Sequence, residues 1–528
     1  MASFNLLTEP WIPVLHNSGL ITEGSILEVL ENAHNLLSIS DPSPIVELGL
    51  YRLLTAFVMD AYGVSNLDDL ICLLQEEVFN SNTVRGYVEE AGRNRFDLFD
   101  SERPFYQVNK EEAENLQVQS VAALMRHLPS GSFDTHFHHI AEEGQEWSPA
   151  TCARALASIP AFMTAGGRGY SPSINGNPPW YVLVRGKNLF QTIVLNCCGL
   201  TILGMDGDSP PAWRNSTRIT PGAEAVCHSL LEGLTWQPRR VHLIPSDGGI
   251  CTYTGRDSPV LVRKMGFGPG LKFRGEWIDP QVAYRITSNG SSPLRAREDR
   301  EIWRDVGPLM LLRKGDYQSE KGKIRFSRPI VVDQFLMLRS DRVIPRNTAL
   351  SVEVYGIRTD GKMKLFEWAQ EKLSLSPRVA EDPTAAAAIQ SNMDLAELIA
   401  YMLGWAIKMA YPREGKGNKK AFETLQWRAQ RQYWALLRPV FEKDVVGAIA
   451  QGDVTDPDFI ESVRYEWASS LVQQAKAVFD RTTESLYADA EAMKRVVNAR
   501  RYLSAASASR LKRLRNDKQV EAEGGEKK

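Results

Sequence analysis

The chain has 528 residues, 43% of them hydrophobic and 24% charged, and a formal net charge of −2. That length supports two or three domains with a sizeable core. The charge balance excludes nucleic-acid binding through overall basic character, so any such contact must come from local patches.

The N-terminus has no basic region followed by a long apolar stretch, and no apolar run reaches membrane-spanning length; neither export nor a membrane span is expected. Cys72, Cys152, Cys197, Cys198, Cys227 and Cys251 show no C-x-x-C spacing. Residues 197–198 lie in an apolar run and read as core thiols, which fits the reducing cytoplasm. The opening alternates short apolar runs with prolines, and residues 4–7 and 11–14 read as a strand or hairpin pair. Ser43-Pro44 starts a helix with apolar positions Leu50, Leu53, Leu54 and Phe57, and residues 66–78 form a second. Helices dominate up to about residue 150.

An apolar helix over 152–163 and an apolar strand over 180–184 flank A-G-G-R-G-Y-S-P-S-I-N-G, Ala165 to Gly176, which holds four glycines. Glycine permits positive φ and close approach by another molecule; a plain surface loop has the same composition. From about 180 to 366, short runs rich in β-branched and aromatic residues (180–184, 241–244, 329–332, 351–355) give strand texture. Arg358, Thr359, Asp360, Gly361 and Lys362 stand between two of them, and Asp-Gly there signals a hairpin turn. After residue 376 the texture is helical, over 385–410, 421–441, 458–479 and 484–514. The expected fold is α+β: an irregular mixed N-terminal domain over 1–376, an up-down four-helix bundle over 377–516, and a charged, disordered tail over 517–528.

The search for catalytic motifs returns no G-x-S-x-G, H-E-x-x-H, Walker A or strand-following G-x-G-x-x-G. His136, His138 and His139 cluster in T-H-F-H-H-I. Alternate strand residues share a face, so His136 and His138 are the candidates for a metal-dependent nuclease. No cysteine or carboxylate follows at a metal-site spacing, and the preferred reading is a polar loop without metal or cofactor. Isolated carboxylates such as Asp333 form no acid–base pair that sequence can place together. The basic signal is stronger. Lys494, Arg495, Arg500, Arg501, Arg510, Lys512, Arg513 and Arg515 occur without an intervening Asp or Glu. On one helix they make a ridge able to follow phosphates, or else a solvated face. Residues 413–438 repeat this more weakly, and 263–272 combine cations with a glycine-rich turn.

Together these segments resemble the CasA family, the large subunit of the type I-E CRISPR surveillance complex Cascade. The resemblance runs through N-L-L-T-E-P-W-I-P-V from Asn5, R-P-F-Y-Q from Arg103, the glycine loop, V-R-G from Val184, G-L-T-W-Q-P from Gly233, the 358–362 hairpin and the helical C-terminus. It implies a non-catalytic subunit that reads the protospacer-adjacent motif (PAM) of double-stranded DNA, largely from the minor groove. It further implies strand separation for guide pairing and recruitment of a helicase-nuclease. The implied partners are target DNA, the 5′ handle of the guide RNA, and the backbone, small and handle-binding subunits. Residue by residue, the minor-groove loop matches Gly166, Gly167, Arg168 and Gly169. The lysine finger matches Lys264 or Lys272, and the strand-separating hairpin Arg358 to Lys362. The guide-handle loop matches Phe137. Relatives carry Asn and Gln at the hairpin tip where this chain has Asp360 and Gly361. Some relatives carry a cysteine cluster where Cys251 stands alone, so no zinc is expected. Lys494, Arg495, Arg500, Arg501, Arg510 and Arg513 are the candidate phosphate contacts of the bundle.

Overall fold

The computed structural model describes residues 2–125, 144–166, 169–201, 207–215, 220, 222–297, 300–313, 325–359, 365–411, 416–488 and 490–524. The chain divides into two compact units, Met1–Glu298 with Gln318–Leu375, and Asp299–Tyr317 with Ser376–Lys528. The first is mixed helix and sheet and the second helical, an α+β chain as expected.

The first unit is built around the helix Pro44–Tyr62, in which every residue from Pro44 to Met59 is buried. A helix apolar on all sides belongs in a core, and this one packs on the helix Pro149–Phe162. Its buried Arg52 pairs with Asp279 at 2.9 Å, with neither side chain more than 3% exposed. Gln281 also accepts from Arg52, at 2.8 Å. Burying the two charges is tolerable because each is paired and hydrogen-bonded.

Two of the sheets frame the loop region. In one, Leu350–Thr359 lies between Leu365–Leu375 and Tyr181–Val184, all antiparallel. In the other, Asp257–Pro269 lies between Gln117–Ser120 and Arg239–Ile250. The glycine-rich turn expected within 263–272 is therefore strand as far as Pro269. Gly266 and Gly268 serve packing there: a Cβ at Gly268 would lie 2.6 Å from Leu116 Cδ2. The N-terminal hairpin is also shifted. Ile12–His16 pairs with Ile21–Gly24, while residues 6–9 form a turn, because Gly19 takes φ +83° and closes the loop. The run at 329–332 opens the helix Ile330–Ser340 instead of a strand, burying Val331, Val332, Phe335, Leu336 and Leu338 at helical spacing.

In the second unit, Tyr433 and Gln430 of the helix Lys416–Val440 donate to the carbonyls of Ala396 and Ala400 of Pro383–Ala410. Falling numbers against rising ones mark these helices as antiparallel. Trp467 bonds Asn392 and Tyr411 bonds Thr482, so Pro457–Thr483 runs parallel to the first helix. Ala490–Gly524 packs on both. The segment 299–317, expected in the mixed domain, groups with these helices: Arg300 and Arg304 pair with Glu397, and Trp303 packs on Trp434 and Phe441. The last helix runs to Gly524, through the stretch expected to be a disordered tail from 517; its Lys, Gln, Glu and Ala are good helix formers, with no proline or glycine before Gly524. Among the described residues no helix is long and apolar enough to cross a membrane.

Candidate nucleic-acid interface

The glycine loop begins where the helix Pro149–Phe162 ends and leads to the strand Tyr181–Val184. Its ends are tied down by groups outside it. Arg239, 2% exposed, donates from Nη2 to the Thr164 carbonyl at 2.6 Å and from Nη1 to the Ser171 carbonyl. One guanidinium thus spans the loop. Its planar, forked donor set suits two diverging carbonyls as a lysine ammonium would not. The same group lies 5.1 Å from the Tyr170 ring centroid, and Tyr170 stacks on Phe267 at 6.1 Å with a 22° interplanar angle.

Inside this clamp the Gly166 amide donates to the Tyr170 carbonyl at 3.3 Å. A Cβ at Gly166 would meet Tyr170 Cβ at 3.2 Å and Arg239 Nη2 at 3.5 Å. Gly169 is exposed and takes φ +86°, with open space around a built Cβ. A side chain at Gly166 would press on Tyr170, which would have to give by a few tenths of an ångström, and Gly169 is favoured by its backbone conformation. Gly167 and Arg168 lie outside the described residues. The far end of the loop enters the core: Ile174 joins Cys227, Trp236 and Trp277, and Asn175 donates to Asp279 at 2.9 Å. Asp279 thereby couples the loop to Arg52 of the central helix.

The other candidates fall at different places. Lys264 is exposed next to a β-bulge at Arg263; strand alternation puts it on the face opposite Phe267, away from Tyr170. Lys272 adjoins Phe273, which packs on Trp236, but its ammonium is 2.7 Å from Glu224. At the hairpin Arg358 pairs across the strands with Glu367 at 2.6 Å, and Thr359 stands opposite Leu365; Asp360, Gly361 and Lys362 lie outside the described residues. So do Phe137, His136, His138 and His139. Among the described residues no group of three His, Cys, Asp or Glu could hold a metal. Cys251 is buried and accepts from the Ser148 amide at 3.3 Å. Burial pushes its thiol up, but bonds from Thr254, Ser148 and Thr151 bring it down to about 7.

In the helical unit Lys494, Arg500 and Arg501 are exposed and Arg495 half-buried. Arg500 is held by Asp480 through two bonds, of 2.7 and 2.8 Å. Arg510 and Arg513 lie on the same helix, their side chains outside the described set.

The model of the CRISPR-associated protein Cse1 family matches residues 5–478. The chain belongs to the Cse1 family. A curated CasA/Cse1 protein of Thermus thermophilus is 34% identical over 329 residues, 60% of this chain. That match spans 61% of the relative's own length. The solved Cse1 structure from Acidimicrobium ferrooxidans superposes with a TM-score of 0.73 at 22% identity, covering 98% of this chain and 99% of that one. A chain of a CRISPR RNA-guided surveillance complex gives 0.71 at 19% identity, covering 95% and 100%. At these identities the structures establish the shared fold.

Tyr170 and Phe267 lie in the segments 165–176 and 263–272 that the sequence marks, but nothing in the sequence pairs them with each other or with Arg239. The G-L-T-W-Q-P motif stops at Pro238, one residue short of Arg239, and a buried arginine inside a strand has no periodic signature.

Proposed function

We propose that this Cse1-family chain is the non-catalytic large subunit of a type I-E CRISPR RNA-guided surveillance complex. In this reading it recognises the PAM of double-stranded DNA with the loop at Gly166, Gly167, Arg168 and Gly169. Family membership and the fold shared with a chain of such a complex support the assignment. The observation that carries the loop assignment is the Arg239 clamp. A glycine-built loop anchored at both ends can bring backbone to a minor groove, and the anchored ends lower the conformational entropy lost on binding. The groove's degenerate donor pattern matches readout by backbone and one arginine.

The remaining assignments follow from the same reading. Lys264 or Lys272 contacts the PAM duplex as a finger. The hairpin carrying Arg358 to Lys362 parts the strands, and Phe137 docks at the guide handle. Lys494, Arg495, Arg500, Arg501, Arg510 and Arg513 hold phosphates, and a helicase-nuclease is recruited once the strands have opened. The assembled complex should shift PAM-bearing duplex at concentrations that leave a PAM-less duplex free. The double change Gly167→Asp with Arg168→Ala should abolish the difference; if discrimination survives it, the loop is not the reader.

A further inference from the structure

In the stretch Gly166 to Tyr170, three of the five residues are glycine, so Arg168 and Tyr170 hold its only side chains. The surroundings of Tyr170 are described. Its ring is held by two neighbours: the Arg239 guanidinium stands 5.1 Å from the ring centroid, and Phe267 stacks on it at 6.1 Å with a 22° interplanar angle. Both neighbours are buried and both sit in paired strands, Arg239 in Arg239–Ile250 and Phe267 in Asp257–Pro269. The Gly166 amide holds the Tyr170 carbonyl from within the loop. The orientation of the ring is therefore set by the sheet beneath it.

This packing makes no use of the hydroxyl. Tyr170 is half-buried, and its hydroxyl has no hydrogen-bond partner among the described residues. Elsewhere in the same unit, Tyr51, Tyr62, Tyr87, Tyr181, Tyr284 and Tyr355 each engage theirs in a bond within the chain. A phenylalanine would serve the Arg239 and Phe267 contacts equally well.

A phenol hydroxyl can donate one hydrogen bond and accept others. The positive charge of Arg239 against the ring favours donation, since accepting would draw a further partial positive charge toward it. In the minor groove A·T presents only acceptors, adenine N3 and thymine O2, whereas G·C adds the guanine amino group, a donor. A donating hydroxyl on a held ring meets a partner at A·T and an opposing donor at G·C. The held ring also has little rotamer freedom left to lose on binding. We infer that Tyr170 is a specificity-determining residue, whose hydroxyl donates to a minor-groove acceptor of one A·T pair in the PAM. The inference rests on the glycine loop being the PAM reader.

The test uses the assembled complex and duplexes in which each PAM position is in turn A·T, G·C or inosine·C. Tyr170→Phe keeps the ring and its stack and removes only the hydroxyl, so thermal melts should match the parent's. At one position the preference for A·T over G·C should shrink roughly three- to tenfold, the effect of one hydrogen bond, through weaker binding of the A·T duplex. Inosine·C should lose affinity there as A·T does. The other positions and a PAM-less duplex should change little. A loss spread equally over all duplexes, PAM-less included, would place the hydroxyl on a phosphate and overturn the inference. Binding unchanged at every position also overturns it. The double change Gly167→Asp with Arg168→Ala separates this from the loop assignment. If that variant still discriminates, the loop is not the reader and the Tyr170 assignment falls with it. If it loses discrimination while Tyr170→Phe behaves as the parent, only the Tyr170 assignment falls.

Discussion

The Arg239 guanidinium lies 5.1 Å from the Tyr170 ring while bonding the carbonyls of Thr164 and Ser171 on either side of it. One buried side chain therefore sets both the span and the internal packing of the glycine loop. Arg239→Met removes the donors and leaves buried carbonyls unpaired, with an expected destabilisation on the order of 3 kcal/mol. Affinity of the assembled complex for PAM duplex should fall at least roughly tenfold, while affinity for a PAM-less duplex changes little. Melts and duplex titrations of the variant check both.

Asp279 ties the loop to the core. It pairs with Arg52 and accepts from Asn175. Asp279→Asn leaves the Arg52 charge buried without its partner and should destabilise the chain by about 3–5 kcal/mol. Adding Arg52→Met should recover part of the loss, and denaturant unfolding of the single and double variants reads the coupling.

Glu47 is buried in the central helix and accepts from Tyr355 at 2.6 Å. Burial pushes its carboxyl up from 4.5 to about 7, against the pull of the Tyr355 bond and with added repulsion from Glu353. A carboxyl that holds its proton more tightly folded than unfolded favours folding at low pH. Its contribution falls as pH rises from about 4.5 through about 7 and is then flat. Glu47→Gln keeps an acceptor for Tyr355 and removes that fall. The variant should gain on the order of 3 kcal/mol over the parent at pH 8.5 and little at pH 4.5. Paired melts across that range check the sign.

On the last helix, Arg500 is neutralised by Asp480, whereas Arg501 is exposed without an ion pair among the described residues. If this helix follows duplex phosphates, Arg501→Ala should lower the slope of log K against log salt by roughly 0.9, with sequence preference unchanged. Arg500→Ala should do less, and Asp480→Asn, which frees Arg500, should steepen the slope. An unchanged slope for Arg501→Ala removes this helix from the DNA path.

The long helices are legible because apolar residues recur at helical spacing within each, Tyr433 and Leu437 four apart in one and Trp467 and Leu471 in another, and the hairpin because Asp360-Gly361 separates two apolar runs. The run at 329–332 is not, since Pro-Ile-Val-Val has strand composition and becomes a helix only through what Val331 and Phe335 bury against. The glycines at 266 and 268 read as a turn because sequence cannot show Leu116 occupying the space they leave. The glycine loop itself is visible, whereas its clamp is not. Arg239 is separated from Thr164 by 75 residues, and only tertiary structure brings them together.

The central claim is that the PAM is read from the minor groove. The direct measurement is the affinity of the assembled complex for PAM duplexes in which each G·C pair is replaced by inosine·C. Inosine keeps the major-groove face of guanine and lacks the minor-groove amino group, so its minor groove looks like that of A·T. The account predicts that substituted duplexes bind as the corresponding A·T duplexes do. Binding indistinguishable from the original G·C duplexes, at positions where A·T and G·C differ, would contradict it.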